Sequence, residues 1–211
     1  MNFLAHALLS EPYAYSLIGN VSGDFVKGTL ASSALHPRVI DGVRRHRRID
    51  VLTDAQPQYR YLRGRFQHSH RRYHGLVLDV LLDHLLLKHW DRISSWKPEA
   101  FIEATYQTLH DHRDLLPPAF SSLLPRMIAA DWLRAPLTVE GLERSVYRLS
   151  QRLKKPVDLV SAIPLLLNDS DVELRLLRAF SEVQWVIEDA RSTPLDLRQT
   201  ASTVFTRCNV P

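Results

Sequence analysis

Two carboxylates on a leucine-rich stretch, LDVLLDHLLLKHW (residues 78–90), are the first groups that could do chemistry. On a helix of about 100° per residue, Asp79 and Asp83 lie about 40° apart and are flanked on both sides by apolar residues. Burying an unpaired carboxylate costs roughly several kcal/mol unless it is paired, protonated or bound to a metal. Three interpretations stay open: a cation lies between the two carboxylates, one of them is protonated, or arginines from a nearby basic segment reach them.

A second pattern places a histidine and two aspartates at every fourth position of HRRIDVLTD (residues 46–54), namely His46, Asp50 and Asp54. On a helix this spacing points all three side chains the same way. Carboxylate oxygen together with imidazole nitrogen is a donor set that suits Mn²⁺, Fe²⁺ or Mg²⁺. The alternative is a simple pair between His46 and Asp50, one helical turn apart.

A third pattern is the glycine-rich segment GNVSGDFVKG (residues 19–28), which contains Asp24. In a helix each glycine costs about 1 kcal/mol relative to alanine, so the segment predicts close approach of another backbone or of a ligand. Its spacing matches neither of the common phosphate-binding loops. Asp24 is a candidate ligand, with a helix cap or a salt bridge as the alternatives.

His6 is the fourth candidate, in a short apolar segment near the start of the chain. A lone histidine among apolar residues is more often a hydrogen-bonded core residue than a ligand. Several Asp and His residues in about the first 90 positions, with arginines between them, nevertheless suggest metal-assisted hydrolysis of a phosphoester. Nucleophilic catalysis is the weaker option, because no serine lies in a nucleophile-elbow sequence and the single cysteine, Cys208, lies near the C-terminus.

Positive charge is concentrated near these candidates. The formal net charge is +4, and no Asp or Glu occurs from Ala55 to Leu78, where five arginines lie. The segment VRRHRRID (residues 43–50) adds four more. A field of this sign attracts an anionic partner, such as nucleic acid, a phosphorylated small molecule or an acidic protein. A solvated helix face is the alternative for any one of these arginines.

The elements that must position these residues are helices. Apolar residues recur at spacings of three and four while alternation is scarce, so the pattern predicts an all-α fold and a single domain over 1–211. The candidate site lies in about 1–92, and ordinary amphipathic helices complete the core. The predicted helices are 2–10, 14–28, 37–54, 58–73, 76–91, 98–113, 117–133, 138–153, 158–167, 170–191 and 195–207.

The cellular location can also be predicted. One cysteine excludes an intrachain disulfide framework and favours a reducing compartment. The first residues lack the features of a secretion signal, and every apolar run is interrupted well before the ~20 residues that span a bilayer. We therefore expect a cytoplasmic protein with no membrane partner.

Four motifs, MNFLAH, GNVSGDFVKG, HRRIDVLTD and LDVLLDHLLLKHW, occur in this order from the first residue and resemble the bacterial acyl carrier protein phosphodiesterases. The resemblance implies a compact multi-helix bundle distantly related to the HD-domain metal-dependent phosphohydrolases. It also implies a manganese-dependent reaction, with Mg²⁺ or Fe²⁺ as alternatives, that removes the 4′-phosphopantetheine arm from holo acyl carrier protein. The products are the free arm and apo protein with a free serine.

The resemblance also suggests roles for the candidate residues. Asp24 matches the functionally important aspartate of the family. Asp83-His84 has the reverse order of the His-Asp pair of ordinary HD domains. We expect Asp24, Asp50 and Asp79 to be catalytic, and the proposed metal ligands are Asp24, His46, Asp83, His84 and His6.

The implied substrate is a small acidic protein, which would complement a basic docking face. The candidate docking residues are Arg45, Arg48, Arg63, Arg71 and Arg72. Two alternatives remain, a nucleotide phosphohydrolase with a similar metal site and a helical nucleic-acid-binding protein. Nucleic acid is the less favoured partner because binding it would not explain the buried acidic residues.

Overall fold

A computed structural model of the chain describes residues 1–65, 73–155 and 157–189. Over these ranges the chain forms eleven α-helices joined by short loops and 3-10 turns, with no strand, which confirms the all-α prediction. The predicted helix over 195–207 lies outside the described residues. The helices are α1 Phe3–Leu8, α2 Ala14–Val21, α3 Pro37–Ala55, α4 Pro57–Arg65, α5 His74–Lys88, α6 Trp90–Ile93, α7 Pro98–Asp111, α8 Pro118–Ala129, α9 Val139–Ser150, α10 Ile163–Leu167 and α11 Ser170–Asp189.

The predicted helix over 14–28 is wrong in its second half. The helix α2 ends at Val21, and a short 3-10 helix, Gly23–Phe25, follows. The Ser22 hydroxyl turns back to donate a hydrogen bond to the Ile18 carbonyl at 2.6 Å, and the backbone then leaves the helical path. Because the helix ends here, Asp24 lies in the short 3-10 helix and not on α2.

Glycines allow α2 and α3 to pack backbone against backbone. A Cβ on Gly19 would lie 2.2 Å from the Val39 carbonyl oxygen, and one on Gly42 would lie 2.8 Å from the Ser16 carbonyl oxygen. Contacts this short are impossible for a real Cβ, so only glycine permits the approach. The predicted close approach of another backbone is therefore confirmed at Gly19, and it brings the end of α2 next to the middle of α3.

The helix α5 lies at the centre of the fold. Its apolar side chains are buried on nearly every side, and it contacts α1, α9 and α11. Each buried leucine contributes roughly 1.5–3 kcal/mol, so this helix stabilises the bundle strongly. The surrounding helices place Asp79 and Asp83, one turn apart on α5, in different environments.

The C-terminal helices contribute to one continuous hydrophobic core that extends from Leu4 to Ile187. On α11, the predicted apolar face is buried at Val172, Leu176 and Phe180. The single domain over 1–211 stays a prediction because the last residues lie outside the described ranges. Among the helices that the structure describes, none combines the length and the apolar character needed to cross a membrane.

Candidate metal centre

Two histidines and an aspartate converge where α1, α2 and α3 meet. His6, His46 and Asp50 each offer one ligand atom, and these atoms lie within 4.8 Å of one another. His6 Nε2 is 3.2 Å from Asp50 Oδ1, and His46 Nε2 is 3.1 Å from Asp50 Oδ2. The two imidazole rings are stacked with centroids 4.1 Å apart. Each oxygen of one carboxylate therefore faces a different imidazole.

Asn20, at the end of α2, sets the tautomer of both histidines. Its Nδ2 donates to the His6 carbonyl at 2.7 Å and to Ser10 Oγ at 3.1 Å, so its Oδ1 must accept from His6 Nδ1 at 2.9 Å. The backbone carbonyl of Asn20 lies 2.8 Å from His46 Nδ1 and can only accept. Both histidines therefore carry a proton on Nδ1 and direct Nε2 toward Asp50, as in metal sites whose imidazoles are anchored by outer partners.

This arrangement leaves acceptor atoms facing one another. With Nδ1 protonated, a neutral His6 presents a lone pair on Nε2, 3.2 Å from a carboxylate oxygen. That buried nitrogen forms no well-aligned hydrogen bond. Only a proton or a metal ion between the two atoms relieves this opposition, so the residues fit a divalent cation with nitrogen and oxygen ligands.

Asp24 reaches the same centre from the solvent side. Its Oδ1 lies 3.4 Å from His46 Nε2, and its side chain is 72% exposed. The approach depends on Gly23, because a Cβ there would lie 2.3 Å from the His46 ring. Arg47 secures the loop that follows by donating to the carbonyls of Val26 and Gly28.

The groups of the centre differ in pKa and therefore in charge. Burial alone would raise the pKa of Asp50, but the hydrogen bond from His46 and the positive charge of the Met1 α-amino group hold it well below its usual range. Burial opposes protonation of His46, yet Asp24 and Asp50 raise its pKa to about 9. Burial lowers the pKa of His6, and the neighbouring His46 lowers it further. Without a metal, the centre therefore holds an ionised Asp50, a protonated His46 and a neutral His6.

A cleft with a cavity volume of about 330 Å³ opens beside this centre. Asp24, Asp50 and Asp79 all line it, together with Tyr59 and Arg63. The three residues expected to be catalytic and one of the candidate docking arginines are thus brought to one solvent-accessible cavity. Its dimensions suit a small polar group such as a phosphodiester.

Asp79 has its own partners in the cleft. The Tyr59 hydroxyl donates to Asp79 Oδ1. The α-amino group of Met1 lies 3.4 Å from the same oxygen and 3.2 Å from Asp50 Oδ1. Burial disfavours that ammonium, but Asp79 and Asp50 raise its pKa to about 10. The cation that faces Asp79 is therefore this α-amino group, and it contacts Asp79 and Asp50 rather than Asp79 and Asp83.

Asp83 lies elsewhere and serves α1. Its side chain is buried, and it accepts hydrogen bonds from the backbone N–H groups of Leu4 at 3.1 Å and Ala5 at 3.0 Å and from Asn2 Nδ2 at 3.0 Å. It thus satisfies donors that a helix N-terminus leaves free. Burial raises the pKa of Asp83 to about 7, although the two backbone donors oppose the shift. Partial protonation of one α5 carboxylate was among the interpretations that the sequence left open.

His84 is also directed away from the cleft. Its Nδ1 donates to the Pro136 carbonyl at 2.7 Å, and burial lowers its pKa. The three-residue group includes neither Asp83 nor His84. Asp83 and His84 lie away from the histidine pair because of their positions on α5. Asp79 faces the cleft, whereas Asp83 lies one turn further along the helix and faces α1. His84 lies about 100° further around the helix and contacts Pro136.

The predicted docking arginines are not equivalent. Arg45 donates to the Leu9 carbonyl and lies 3.8 Å from Glu11, so it holds α3 to the N-terminal segment. Arg63 pairs with Asp54 at 2.9 Å on the rim of the cleft. Arg48 is half-buried on α3. Arg71 and Arg72 lie outside the described residues.

Two residues of the site escaped sequence reasoning. Asn20 is the polar residue in the otherwise apolar segment LIGNV (residues 17–21), and that contrast is a signal that could have identified it. Tyr59 has no comparable signal, because its partner Asp79 is 20 residues away in the chain. Burial and Asp79 together raise the pKa of Tyr59 well above its usual value.

Comparison with known proteins connects this site to a family. A family model described as acyl carrier protein phosphodiesterase matches residues 1–183. A protein of that name from Serratia proteamaculans is 39% identical over 134 residues, covering 63% of this chain and 69% of the relative. Proteins of the same name from Salmonella agona and Salmonella newport are 40% identical over 134 residues, with the same coverage. No solved structure matches the chain, so the distant relation to HD domains stays a prediction.

Proposed function

Because the chain belongs to the acyl carrier protein phosphodiesterase family, we propose that it hydrolyses the phosphodiester between 4′-phosphopantetheine and holo acyl carrier protein. The observation that carries this proposal is the convergence of His6, His46 and Asp50 on one point beside the cleft. A phosphodiesterase needs such a centre because the phosphate charge must be neutralised as water attacks. The single cysteine supports a cytoplasmic location for the reaction.

His6 Nε2, His46 Nε2 and the Asp50 carboxylate would hold a divalent cation, and Asp24 is within reach of the same point. Mn²⁺ is our first candidate, with Mg²⁺ and Fe²⁺ as the alternatives that suit this donor set. When bound, such an ion lowers the pKa of a water molecule and stabilises negative charge on the phosphate. Metal binding requires neutral Nε2 atoms, which the Nδ1 hydrogen bonds to Asn20 prepare.

The other residues of the cleft position the substrate and the protons. Arg63, on the rim, can contact phosphate oxygens, and Asp24, which is exposed, can orient the attacking water. In the reaction a water oxygen bonds to phosphorus as the bond from phosphorus to the serine oxygen breaks. The water loses one proton in this step, and the serine oxygen must receive one, since an alkoxide is a poor leaving group. Asp79 faces the cleft with Tyr59 and is our candidate for positioning that end of the substrate.

The decisive experiment is to incubate the purified protein with holo acyl carrier protein and Mn²⁺ and to weigh the carrier by mass spectrometry. We expect the carrier to lose the mass of phosphopantetheine, and a chelator should prevent this loss. Parallel incubations with Mg²⁺ and Fe²⁺ identify the metal that supports the highest rate. An unchanged carrier mass at high enzyme with each of the three metals would contradict the proposal.

A further inference from the structure

A second and smaller pocket lies next to the cleft and belongs to a different part of the chain. It has a cavity volume of about 30 Å³. Its neighbours show how close it is: Asn2 and Val80 line the pocket, while Met1 and Asp79, the adjacent residues in the chain, line the cleft. Neighbouring residues of the chain therefore line the cleft and the pocket, so one protein substrate can contact both. The remaining lining residues include Phe3, Trp132, Ser145, Arg148 and Arg152.

Two arginines of this pocket are held against an indole. The guanidinium carbon of Arg148 lies 4.9 Å from the Trp132 ring centroid, and that of Arg152 lies 5.4 Å from it. The Phe3 ring contacts the same indole, with centroids 6.2 Å apart. Cation–π contacts of this kind fix the direction of an arginine without neutralising its charge. Both guanidinium groups therefore keep their charge available for an anion.

Further arginines cluster around Arg148. Arg126 of α8 and Arg144 of α9 lie near enough to Arg148 to lower its pKa, although burial is the larger cause. In the part of the chain that the structure describes, none of these arginines, nor Arg152, forms an ion pair with a carboxylate. Arg148 instead donates to Ser145 Oγ at 2.8 Å. Four clustered cations without a counter-charge favour binding of an anion.

The turn that delivers Trp132 supports a binding role. Asp131, just before it, has a φ of 43°, which is uncommon for a residue other than glycine. Arg134 holds the Asp131 carboxylate at 2.9 Å, and the Tyr106 hydroxyl accepts from the Leu133 N–H at 2.8 Å. Among the described residues, the buried indole N–H of Trp132 has no acceptor. Strained turns and unsatisfied donors are common at binding sites.

We propose that this arginine pocket, formed by Trp132, Arg148 and Arg152, binds an aspartate or glutamate side chain of the protein substrate whose phosphodiester lies in the cleft. The inference rests on the proposed function, which makes the substrate a protein. The size selects a carboxylate, because about 30 Å³ holds only two or three groups the size of a water molecule. Arginine pairs bind carboxylates with two parallel hydrogen bonds, which also fixes the orientation of the partner.

The test measures docking separately from chemistry. In the inactive Asp50→Asn background, the affinity for holo acyl carrier protein is measured by titration at low salt, with and without Arg148→Glu/Arg152→Glu. We expect the double reversal to weaken binding by about 100-fold and to flatten its salt dependence. The matched control is Arg92→Glu/Lys97→Glu, which changes the net charge equally at exposed positions away from both pockets.

Kinetics of the active protein provide the second readout. The double reversal should raise KM for the carrier while kcat at saturation stays within about twofold, because the pocket does not touch the reacting atoms. If the glutamate variant unfolds, Arg148→Gln/Arg152→Gln removes the charge with less disturbance, and its KM should rise by about 10-fold.

Failure of this inference is distinct from failure of the proposed function. Wild-type affinity and KM in the double reversal, or an equal loss in the Arg92→Glu/Lys97→Glu control, would overturn the arginine pocket and leave the hydrolase intact. A carrier that binds in the pocket-dependent way but keeps its mass would overturn the hydrolase and leave the pocket. A carrier that does not bind the Asp50→Asn protein at all would overturn the pocket as well.

Discussion

Asp50 and Asp83 both lie beside the N-terminal segment, yet the two acids have opposite surroundings. Asp50 is 37% exposed, opens onto the cleft and faces two imidazoles and an ammonium group. Asp83 is 1% exposed and faces only amide N–H donors. Against the effect of burial, protonated His46 and the Met1 ammonium group lower the pKa of Asp50, whereas burial raises that of Asp83.

The difference shows which property makes a carboxylate suitable for metal chemistry. An imidazole can exchange its Nε2 proton for a metal ion, so the two histidines beside Asp50 can bind a metal ion together with it. A backbone N–H cannot lose its proton, so the surroundings of Asp83 can only stabilise the fold. Burial and charge alone do not distinguish the two roles, whereas the chemistry of the donors does.

The largest expected effect is loss of turnover on Asp50→Asn. The amide keeps the shape but removes the charge that both histidines face, so we expect hydrolysis to fall by about a thousandfold or more. Mn²⁺ affinity, measured by calorimetry, should fall with it. Asp41→Asn is the matched control, since Asp41 lies on the same helix but is exposed and pairs with Arg44 away from the cleft. Equal losses of turnover in the two variants would contradict the assignment of Asp50 to the metal centre.

Asp83→Ala should instead cost stability. It leaves two backbone N–H groups and the Asn2 amide without their acceptor, so the free energy of unfolding should fall by about 3 kcal/mol. Denaturant titration of wild type and variant measures this difference, with Asp54→Ala as an exposed control. A variant of wild-type stability that no longer binds Mn²⁺ would make Asp83 a ligand and break the comparison.

A smaller effect is expected on Asn20→Ala. Removing the side-chain acceptor of His6 Nδ1 leaves that imidazole free to rotate or change tautomer, so Mn²⁺ affinity should fall by about 10- to 100-fold. Ser10→Ala removes the hydrogen bond from Asn20 Nδ2 and the one that the Ser10 hydroxyl donates to the His6 carbonyl, but it keeps the acceptor of His6 Nδ1 and should change affinity far less. Equal affinities in the two variants would show that the tautomer is fixed by other contacts.

The smallest effect is a pH dependence that only the Asp50 region should show. Because the pKa of His46 is raised to about 9 in the absence of metal, protons compete with the cation below that value. Mn²⁺ affinity should therefore rise by about tenfold per pH unit between about pH 7 and 9. Calorimetry at several pH values checks the slope, which Asp83→Asn should leave unchanged. An affinity independent of pH over this range would contradict the assigned state of His46.

Much of the fold could be predicted from local patterns. Proline at the first position of α3 and α7, and apolar spacing along α11, depend only on near neighbours in the chain. The alignment of His46 with Asp50 is likewise a property of one helix. The role of Asp83 could not be predicted, because its partners Leu4 and Ala5 are 79 and 78 residues away.

The arginines show the same limit. Segment composition predicts docking arginines in the basic segments before α5, but Arg45 and Arg63 of these segments are held by contacts within the protein. The arginines of α9 looked like an ordinary solvated helix face. Only the packing of α9 against α5 brings Arg148 into the pocket that Phe3 and Trp132 also line.

By itself the sequence determined the all-α class, most helix boundaries, the glycine contact of α2 with α3, and the family. Each depends on local spacing or on motifs that occur in order along the chain. Tertiary structure decided which acids meet the histidines, how Asn20 sets both tautomers, and which arginines line the cleft and the smaller pocket. These outcomes depend on how each helix is rotated about its axis when it packs against its neighbours. Because successive side chains point about 100° apart, a small change in that rotation changes which side chains meet.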